Sequence, residues 1–461
     1  AQFGTINKIK FHESQSGAVK AALVNGATVI TGGPGTGKTT IIKCIGQILT
    51  SQGLRVLFCA PTGRASKRIT QSTGFEAKTI HRMLGFEAVE DRMLFKYNRT
   101  NPLPCDAVIV DEVSMVDVNI MYNLLCAIPS GARLILVGDK DQLPSVGAGN
   151  VLADVIRSGV IEIRYLTHIY RQSEDSLIVS NAHLINHGHM PEINNRSKDF
   201  FYTALTDYPE IADTVIGLVT KRLPGYTGVA PMDIQVLAAL KSGVCGVENI
   251  NKRLQEAINP RVYGKNEITV GNNLFRVGDK VMQTVNDYEL PFVKYGEGAP
   301  EEGQGVFNGD IGTVKSIDRA NGIVEVWYDD NRLATYGEAD LSDLQLAYAI
   351  TIHKSQGSEF DVVVIPLVSG PPTLINKNLL YTAITRAKRA VVIVGSKKIL
   401  AMMVHNNYIA ARTTNLCRFL QEEQTKYLRY FSAEARNNQS APQDEYDGGM
   451  PLDFDAEDLF Q

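Results

Sequence analysis

Long apolar runs are missing from this chain. The longest candidate, Val362 to Val368, falls far short of the roughly 18 to 20 residues that a helix needs to cross a bilayer. No basic segment followed by an apolar run and a small-residue cleavage site stands at Ala1 to Lys20, so secretion is not indicated and a cytoplasmic protein without membrane association is expected. Cysteine is scarce, and the six present (Cys44, Cys59, Cys105, Cys126, Cys245 and Cys417) include no Cys-x-x-Cys pair to bring two thiolates to one metal. Reduced, mostly buried thiols are expected. Neither sign of charge dominates, with 46 Lys and Arg against 50 Asp and Glu and a net charge of −4. That excludes a protein coated in positive charge but leaves room for a local basic groove.

What is present is ordinary globular material, 461 residues of which 44% are apolar and 21% charged. At roughly 150 residues per domain, about three domains are expected. From Ala27 to Val137 short β-branched runs alternate with helix-like stretches: Ala27 to Thr31, Arg55 to Ala60, Ala107 to Val110 and Leu134 to Val137. A second set follows at Ile234 to Ala239, Asp361 to Ile365 and Ala390 to Val394. Runs of this kind are strands covered on both faces by helices, so two parallel α/β domains are expected.

Between them, from about Lys265 to Leu341, short alternating runs are punctuated by Asn308-Gly309 and Asn321-Gly322. That texture predicts a small antiparallel β unit inserted into the second α/β domain. A shorter interruption runs from Phe86 to Pro104, where Arg92 to Tyr97 reads as one arm of a hairpin or as a surface loop. Periodicity fades over the last forty or so residues, and Asn437 to Gln461 is rich in Asn, Gln, Asp and Glu, so a disordered acidic tail is expected. Its end, Leu452 to Phe460, alternates acidic and apolar residues, which suits a solubilising tail or a segment that docks in the groove of a protein partner.

The chemistry begins at Gly32-Gly-Pro-Gly-Thr-Gly-Lys-Thr39, which follows a strand and opens a helix. Its glycines let backbone N–H groups turn inward around phosphates, Lys38 reaches the β/γ end, and the Thr39 hydroxyl suits Mg²⁺. Gly33, Pro34, Gly35, Thr36, Gly37, Lys38, Thr39 and Thr40 are therefore the candidate nucleotide-binding residues. An acidic partner is expected at the end of a neighbouring strand, and Ala107 to Glu112 ends in two carboxylates. Asp111 suits Mg²⁺ and Glu112 suits the attacking water. Gln142, in the polar turn after Leu136 to Gly138, is placed to sense the γ-phosphate. Phosphoryl transfer also wants arginines from across an interface, and Arg171 and Arg386 are the candidates.

The ordered series now resembles superfamily 1 DNA helicases of the RecD-like branch. The resemblance rests on Gln15 upstream of the P-loop, Ala60-Pro-Thr-Gly-Arg-Ala65, Thr79-Ile-His-Arg-Met-Leu84, Asp111 to Met115, Gly138 to Pro144, Tyr170-Arg-Gln172, Ala349 to Glu359 and Tyr381 to Arg386. It implies two RecA-like P-loop domains with parallel sheets, a β-hairpin insertion in the first and an SH3-like β-barrel insertion in the second. The expected layout is 1–190 for the first domain with the hairpin at about 86–104, 191–264 and 342–420 for the second, 265–341 for the inserted unit and 421–461 for the tail.

The same resemblance implies an ATP- and Mg²⁺-dependent helicase that runs 5′ to 3′ on single-stranded DNA and opens single/double-strand junctions in DNA repair and recombination. Gln15 would read adenine. Pro61, Thr62, Arg64, Thr79, His81, Thr351, His353 and Ser355 would line the DNA groove, and Glu359 would touch the nucleotide or tie the second domain to it. Relatives often carry a further N-terminal domain, so the start at Ala1 suggests a trimmed or short version, and no nuclease is expected. Rival readings are a P-loop switch, a nucleotide-dependent DNA-bound scaffold and the helicase part of a relaxase or other mobilisation protein. His183, His187 and His189 raise a metal or relaxase-like site against the plainer reading of a helix ending at Gly188.

Overall fold

The computed structural model describes residues 11–89, 92–168, 176–193, 198–296, 298–408, 412 and 414–438. Arg171 and the acidic stretch from 439 onward lie outside the described residues. No helix among the described residues is long and apolar enough to cross a membrane.

The first domain alternates α1 (Glu13–Val24), β1 (Ala27–Gly32), α2 (Lys38–Ser51), β2 (Val56–Ala60), α3 (Gly63–Thr73), β3 (Ala77–Thr79) and α4 (Ile80–Leu84). A hairpin follows, β4 (Phe86–Val89) antiparallel to β5 (Arg92–Phe95), then β6 (Ala107–Val110), α5 (Val118–Ala127), β7 (Arg133–Gly138), α6 (Val151–Ser158) and β8 (Glu162–Leu166). The hairpin exists as expected. The main sheet has the order β3-β2-β6-β7-β1-β8 and is parallel throughout. Successive residues of β1 serve opposite cores: Val29 packs with Cys59, Val108 and Leu136, and Ile30 with Ile41, Ile45 and Ile135. Both faces are buried, which is why the strands read as unbroken apolar runs. One correction concerns adjacency: β7 lies between the P-loop strand β1 and the acid-bearing strand β6. The acids come from the next strand but one, because sheet order follows crossovers that motif spacing does not encode.

The second domain contains α7 (Leu177–Asn186), β9 (Phe200–Ala204), α8 (Tyr208–Gly217), β10 (Ile234–Ala238) and α9 (Val247–Ile258) before the insertion. The insertion supplies β11 (Glu267–Val270), β12 (Asn273–Arg276), β13 (Lys280–Gln283), β14 (Asp287–Lys294), β15 (Glu301–Val306), β16 (Ile311–Asp318), β17 (Ile323–Tyr328), β18 (Arg332–Tyr336) and β19 (Leu344–Leu346). Seven of these form an antiparallel sheet in the order β15-β14-β18-β17-β16-β13-β19. Gly309 and Gly322 of the two Asn-Gly pairs sit in its connections at φ of 90° and 65°, where a Cβ would be strained.

The chain then returns through β20 (Ala349–Thr351), β21 (Phe360–Leu367), α10 (Lys377–Ile384), β22 (Ala387–Gly395) and α11 (Lys397–His405). The second parallel sheet is ordered β20-β10-β21-β22-β9.

Three boundaries shift from those expected. Helix α7 falls within the span expected for the first domain, but Ile178, Ala182 and Ile185 pack with Phe200, Tyr202, Leu379 and Leu380 in the second. An amphipathic helix fits either sheet in principle, and only packing decides. The inserted sheet runs on to β19, past Leu341, because Leu344–Leu346 pairs with β13. Residues expected to begin a disordered tail at 421 instead belong to α12 (Leu416–Asn438). Leu416 and Leu420 pack against the first-domain core. Just before the helix, Arg412 donates to the carbonyls of Gly147 and Gly149 at 2.8 and 2.7 Å. A polar, charged stretch can be helical when apolar residues at its start give it an anchor.

Candidate nucleotide site and nucleic-acid groove

The P-loop leaves β1 and enters α2 with Gly35 and Gly37 at φ of 73° and 82°, a left-handed turn that glycine makes without strain. Lys38 Nζ donates to the carbonyls of Gly32 and Gly33 at 2.6 and 2.9 Å, and Thr36 Oγ1 donates to Gly33 O at 2.8 Å. Pro34 lies in this turn, and Thr39 and Thr40 stand on the first turn of α2. Gln15 is buried against the loop, its Nε2 donating to Thr36 O at 3.0 Å while its Oε1 accepts from the His12 N–H at 3.3 Å. Both ends of the amide are thus engaged, and Gln15 braces the loop from α1.

Asp111 and Glu112 leave β6 with 2% exposure each. Glu112 sits at φ 54°, a conformation that costs a non-glycine residue energy and that clusters at functional sites. Both carboxylates meet Arg68 of α3, which motif reading missed. Its Nη2 lies 3.1 Å from Asp111 and 2.8 Å from Glu112, and its Nη1 lies 3.2 Å from Glu359 of the second domain. Burial opposes charge on both acids and prevails at Asp111, whose pKa is raised. At Glu112 the Arg68 guanidinium, with Arg386 and Lys38, outweighs burial and the pKa is lowered. Burial also works against the charge of Arg68, but Glu112, Asp111 and Glu359 more than offset it and raise its pKa. Glu112 Oε2 is buried with no hydrogen-bond partner among the described residues.

Gln142 follows β7, the strand beside β1. Its Nε2 donates to Asp139 Oδ2 at 3.2 Å, and the same oxygen accepts from Tyr381 OH of α10 at 2.8 Å. Burial raises the Asp139 pKa against the pull of Lys38 and Tyr381. The rest of this loop docks on the second domain as well. Leu143 N–H donates to Thr382 Oγ1 at 3.0 Å, Leu143 O accepts from Gln356 at 2.8 Å, and Asp141 O accepts from Asn378 at 2.9 Å.

Arg386, just after α10, is 3% exposed and donates to Thr382 O, Ser358 O and Thr385 Oγ1 at 3.2, 3.1 and 3.3 Å. Its charge reaches Glu112, so it stands on the second-domain side of the same interface. Glu359 pairs with Arg68 of the first domain and, at 3.6 Å, with Lys388 of its own.

A cavity of about 600 Å³ opens where all three folded parts meet. Pro61, Thr62, Arg64, Thr79 and His81 line it from the first domain and Thr351 and His353 from the second. Thr62 and Thr79 also cap α3 and α4, accepting from Ala65 N–H and Arg82 N–H at 3.2 Å each. Arg64 reaches across to Ser358 Oγ at 3.0 Å. Burial lowers the pKa of His353, and of His81 against the opposing charge of Asp117. Ser355 is a correction: it is fully buried and its hydroxyl turns back to Ile352 O at 2.7 Å, because the tight turn His353–Ser355 points it inward. The inserted sheet adds Asn286, Tyr288, Phe307 and Asn308, which motif reading did not find. Tyr288 lies 5.5 Å from Phe307 and 4.6 Å from Phe86 at the base of the hairpin, ring centre to ring centre.

Comparison with known proteins gives a consistent picture. Residues 15–148 match the model of an AAA domain, 250–328 that of an ATP-dependent RecD-like DNA helicase SH3 domain, and 346–394 that of a UvrD-like helicase C-terminal domain. The chain is 36% identical to an ATP-dependent RecD2 DNA helicase of Deinococcus radiodurans over 82% of its own length, while spanning 48% of that protein. It is 32% identical to the RecBCD enzyme subunit RecD of Mycolicibacterium smegmatis, covering 84% of this chain and 71% of that one. Among solved structures, Pif1 helicase from Bacteroides in complex with ADP-AlF3 and ssDNA superposes with a TM-score of 0.50 at 19% identity, covering 92% of this chain and 98% of the other. That likeness concerns the fold alone.

Proposed function

The chain belongs to the RecD-like family of superfamily 1 DNA helicases, and on that premise we propose that it is an ATP-driven motor that steps along single-stranded DNA, 5′ to 3′, and opens duplex at single/double-strand junctions. The observation that carries the reading is a short hydrogen-bonded path between the two sites. Gln142 donates to Asp139, which accepts from Tyr381 as well, and one residue beyond Gln142 Leu143 meets both Thr382 and Gln356. Gln356 itself lines the cavity assigned to DNA.

In this mechanism the P-loop amides and Lys38 hold the ATP phosphates. Two buried carboxylates sharing a single guanidinium, with one Glu112 oxygen left unpaired, are a donor set that fits a divalent cation. Thr39 and Asp111 would hold Mg²⁺, which neutralises charge on the phosphates when bound. Glu112, kept ionised, orients and deprotonates the attacking water. Arg386, and Arg171 from its motif, neutralise charge that grows during phosphoryl transfer. Loss of the γ-phosphate changes the Gln142 loop, and with it the grip of the second domain on the strand.

Hydroxyls and imidazoles at Thr62, Thr79, Thr351 and His353 suit phosphate contacts that do not read sequence, while Tyr288 and Phe307 offer ring faces to bases. The β4–β5 hairpin, held against Tyr288 through Phe86, is the element proposed to split the duplex. The test is ATP hydrolysis with and without a mixed-sequence single-stranded oligonucleotide, run beside Lys38→Ala, followed by unwinding of 5′-tailed and 3′-tailed duplexes. Stimulation that vanishes in Lys38→Ala and unwinding of the 5′-tailed duplex are expected. Hydrolysis indifferent to DNA would refute the motor.

A further inference from the structure

The histidine of α7, His183, plays no part in the mechanism above, yet it reaches the nucleotide loop. Helix α7 is held in the second domain by its buried face, and Lys377 of α10 donates to Asn186 O at its end at 2.9 Å. This packing carries His183 across the interface. A methyl group placed on Gly33 would lie 3.3 Å from His183 Cε1, 3.6 Å from Nε2 and 3.1 Å from Tyr381 OH. His183 Nε2 is buried and has no hydrogen-bond partner among the described residues. No group of three His, Cys, Asp or Glu side chains suited to a metal gathers among the described residues, and His187 Nδ1 is engaged with His183 O at 2.8 Å. A buried ring nitrogen without a partner is costly, and such atoms point to an occupant that comes and goes.

The position says which occupant. Lys38 Nζ is bonded to the carbonyl of Gly33, and a P-loop lysine serves the β/γ end of a nucleotide. The ring beside Gly33 therefore faces that end. We propose that His183 is a γ-phosphate contact supplied by the second domain, its Nε2–H donating to a terminal oxygen of ATP. The assignment rests on the reading of this loop as an ATP site. Burial, with His187 and Lys38, lowers the ring's pKa against Asp139 and Asp141, so the imidazole works as a neutral donor. ADP has no oxygen at that place. His183 is then a substrate contact that distinguishes ATP from ADP, and it is lost when the γ-phosphate leaves, a second lever between the domains besides the Gln142 loop.

Equilibrium titrations with mant-AMPPNP and mant-ADP in the presence of Mg²⁺ test this on wild type, Lys38→Ala, His183→Ala and His183→Gln. Loss of one hydrogen bond to a charged group predicts about tenfold weaker mant-AMPPNP binding by His183→Ala with mant-ADP changed by less than about twofold. The amide of His183→Gln keeps a donor and restores most of the difference. A purely structural role would weaken both analogues alike, and that result, or an unchanged mant-AMPPNP affinity in His183→Ala, overturns the proposal while leaving the ATP site intact. If wild type binds neither analogue, or Lys38→Ala binds both as wild type does, the ATP site itself is wrong and the proposal falls with it.

Discussion

The guanidinium of Arg68 stands 2.8 Å from Glu112, joining the helix that begins at the cavity proposed for DNA to the acid proposed to activate water. The same group reaches Asp111 and Glu359, so one side chain is the cationic partner of two carboxylates that are almost fully buried. Removing it strands their charge.

Arg68→Ala is therefore expected to destabilise the chain by roughly 3–5 kcal/mol, the usual cost of breaking a buried ion pair from one side. Thermal unfolding measures this. Added Mg²⁺ and ADP should recover part of the lost melting temperature, because bound cation replaces the missing positive charge and binding stabilises the folded state. Equal melting of wild type and variant would show that the acids do not depend on Arg68.

Arg386 is bonded to carbonyls of its own domain while its charge reaches Glu112. Arg386→Ala is expected to lower the hydrolysis rate about 10³-fold with little change in nucleotide affinity, which single-turnover hydrolysis and equilibrium binding would separate. Normal turnover would remove Arg386 from the site.

Phe307 offers a ring to the cavity without a charge. Base stacking on an aromatic ring contributes about 1–3 kcal/mol, so Phe307→Ala should weaken binding of a labelled oligonucleotide about tenfold or more in anisotropy titrations. The slope of affinity against salt should stay as in wild type, since no phosphate contact is lost. A changed slope would mean that the ring positions cationic groups instead.

Lys280 of the inserted sheet is buried, with its Nζ donating to Met232 O at 2.7 Å. Burial pushes its ammonium down to about 8 from an ordinary 10.5. For a base whose pKa is lower when folded, the protonated form is penalised in the fold. The penalty is in full force below about pH 8 and is relieved as pH rises toward 10.5. Urea midpoints should therefore rise with pH across that window more in wild type than in Lys280→Met, and parallel curves for the two would contradict it.

Much of the candidate site was legible along the chain. The loop from Gly32 to Thr39 keeps its turn glycines, lysine and hydroxyl within one short segment, and its strand and helix flank it directly, so local pattern suffices. Asp111 and Glu112 were legible because a β-branched run ended in two acids, and Gln142 because it follows another such run. The inserted β unit announced itself through Asn-Gly turns. Arg68 carried no comparable signal: in sequence it is one more basic residue on a polar helix, and it gains meaning only where α3 lies beside the end of β6. Tyr288 and Phe307 read as ordinary strand-end aromatics until the inserted sheet turned them toward the groove.

By itself, then, the sequence determined the local devices: phosphate loop, acid pair, arginine-bearing helix, hairpins, and the two parallel-sheet domains whose buried strands need unbroken apolar runs. Only the tertiary structure decided that β7 separates β1 from β6, that α7 belongs to the second domain, that Ser355 turns inward while Thr351 lines the groove, and that His183 meets Gly33. These depend on which faces pack together across long stretches of chain. Periodicity marks that a face is apolar, but it does not name the surface that covers it.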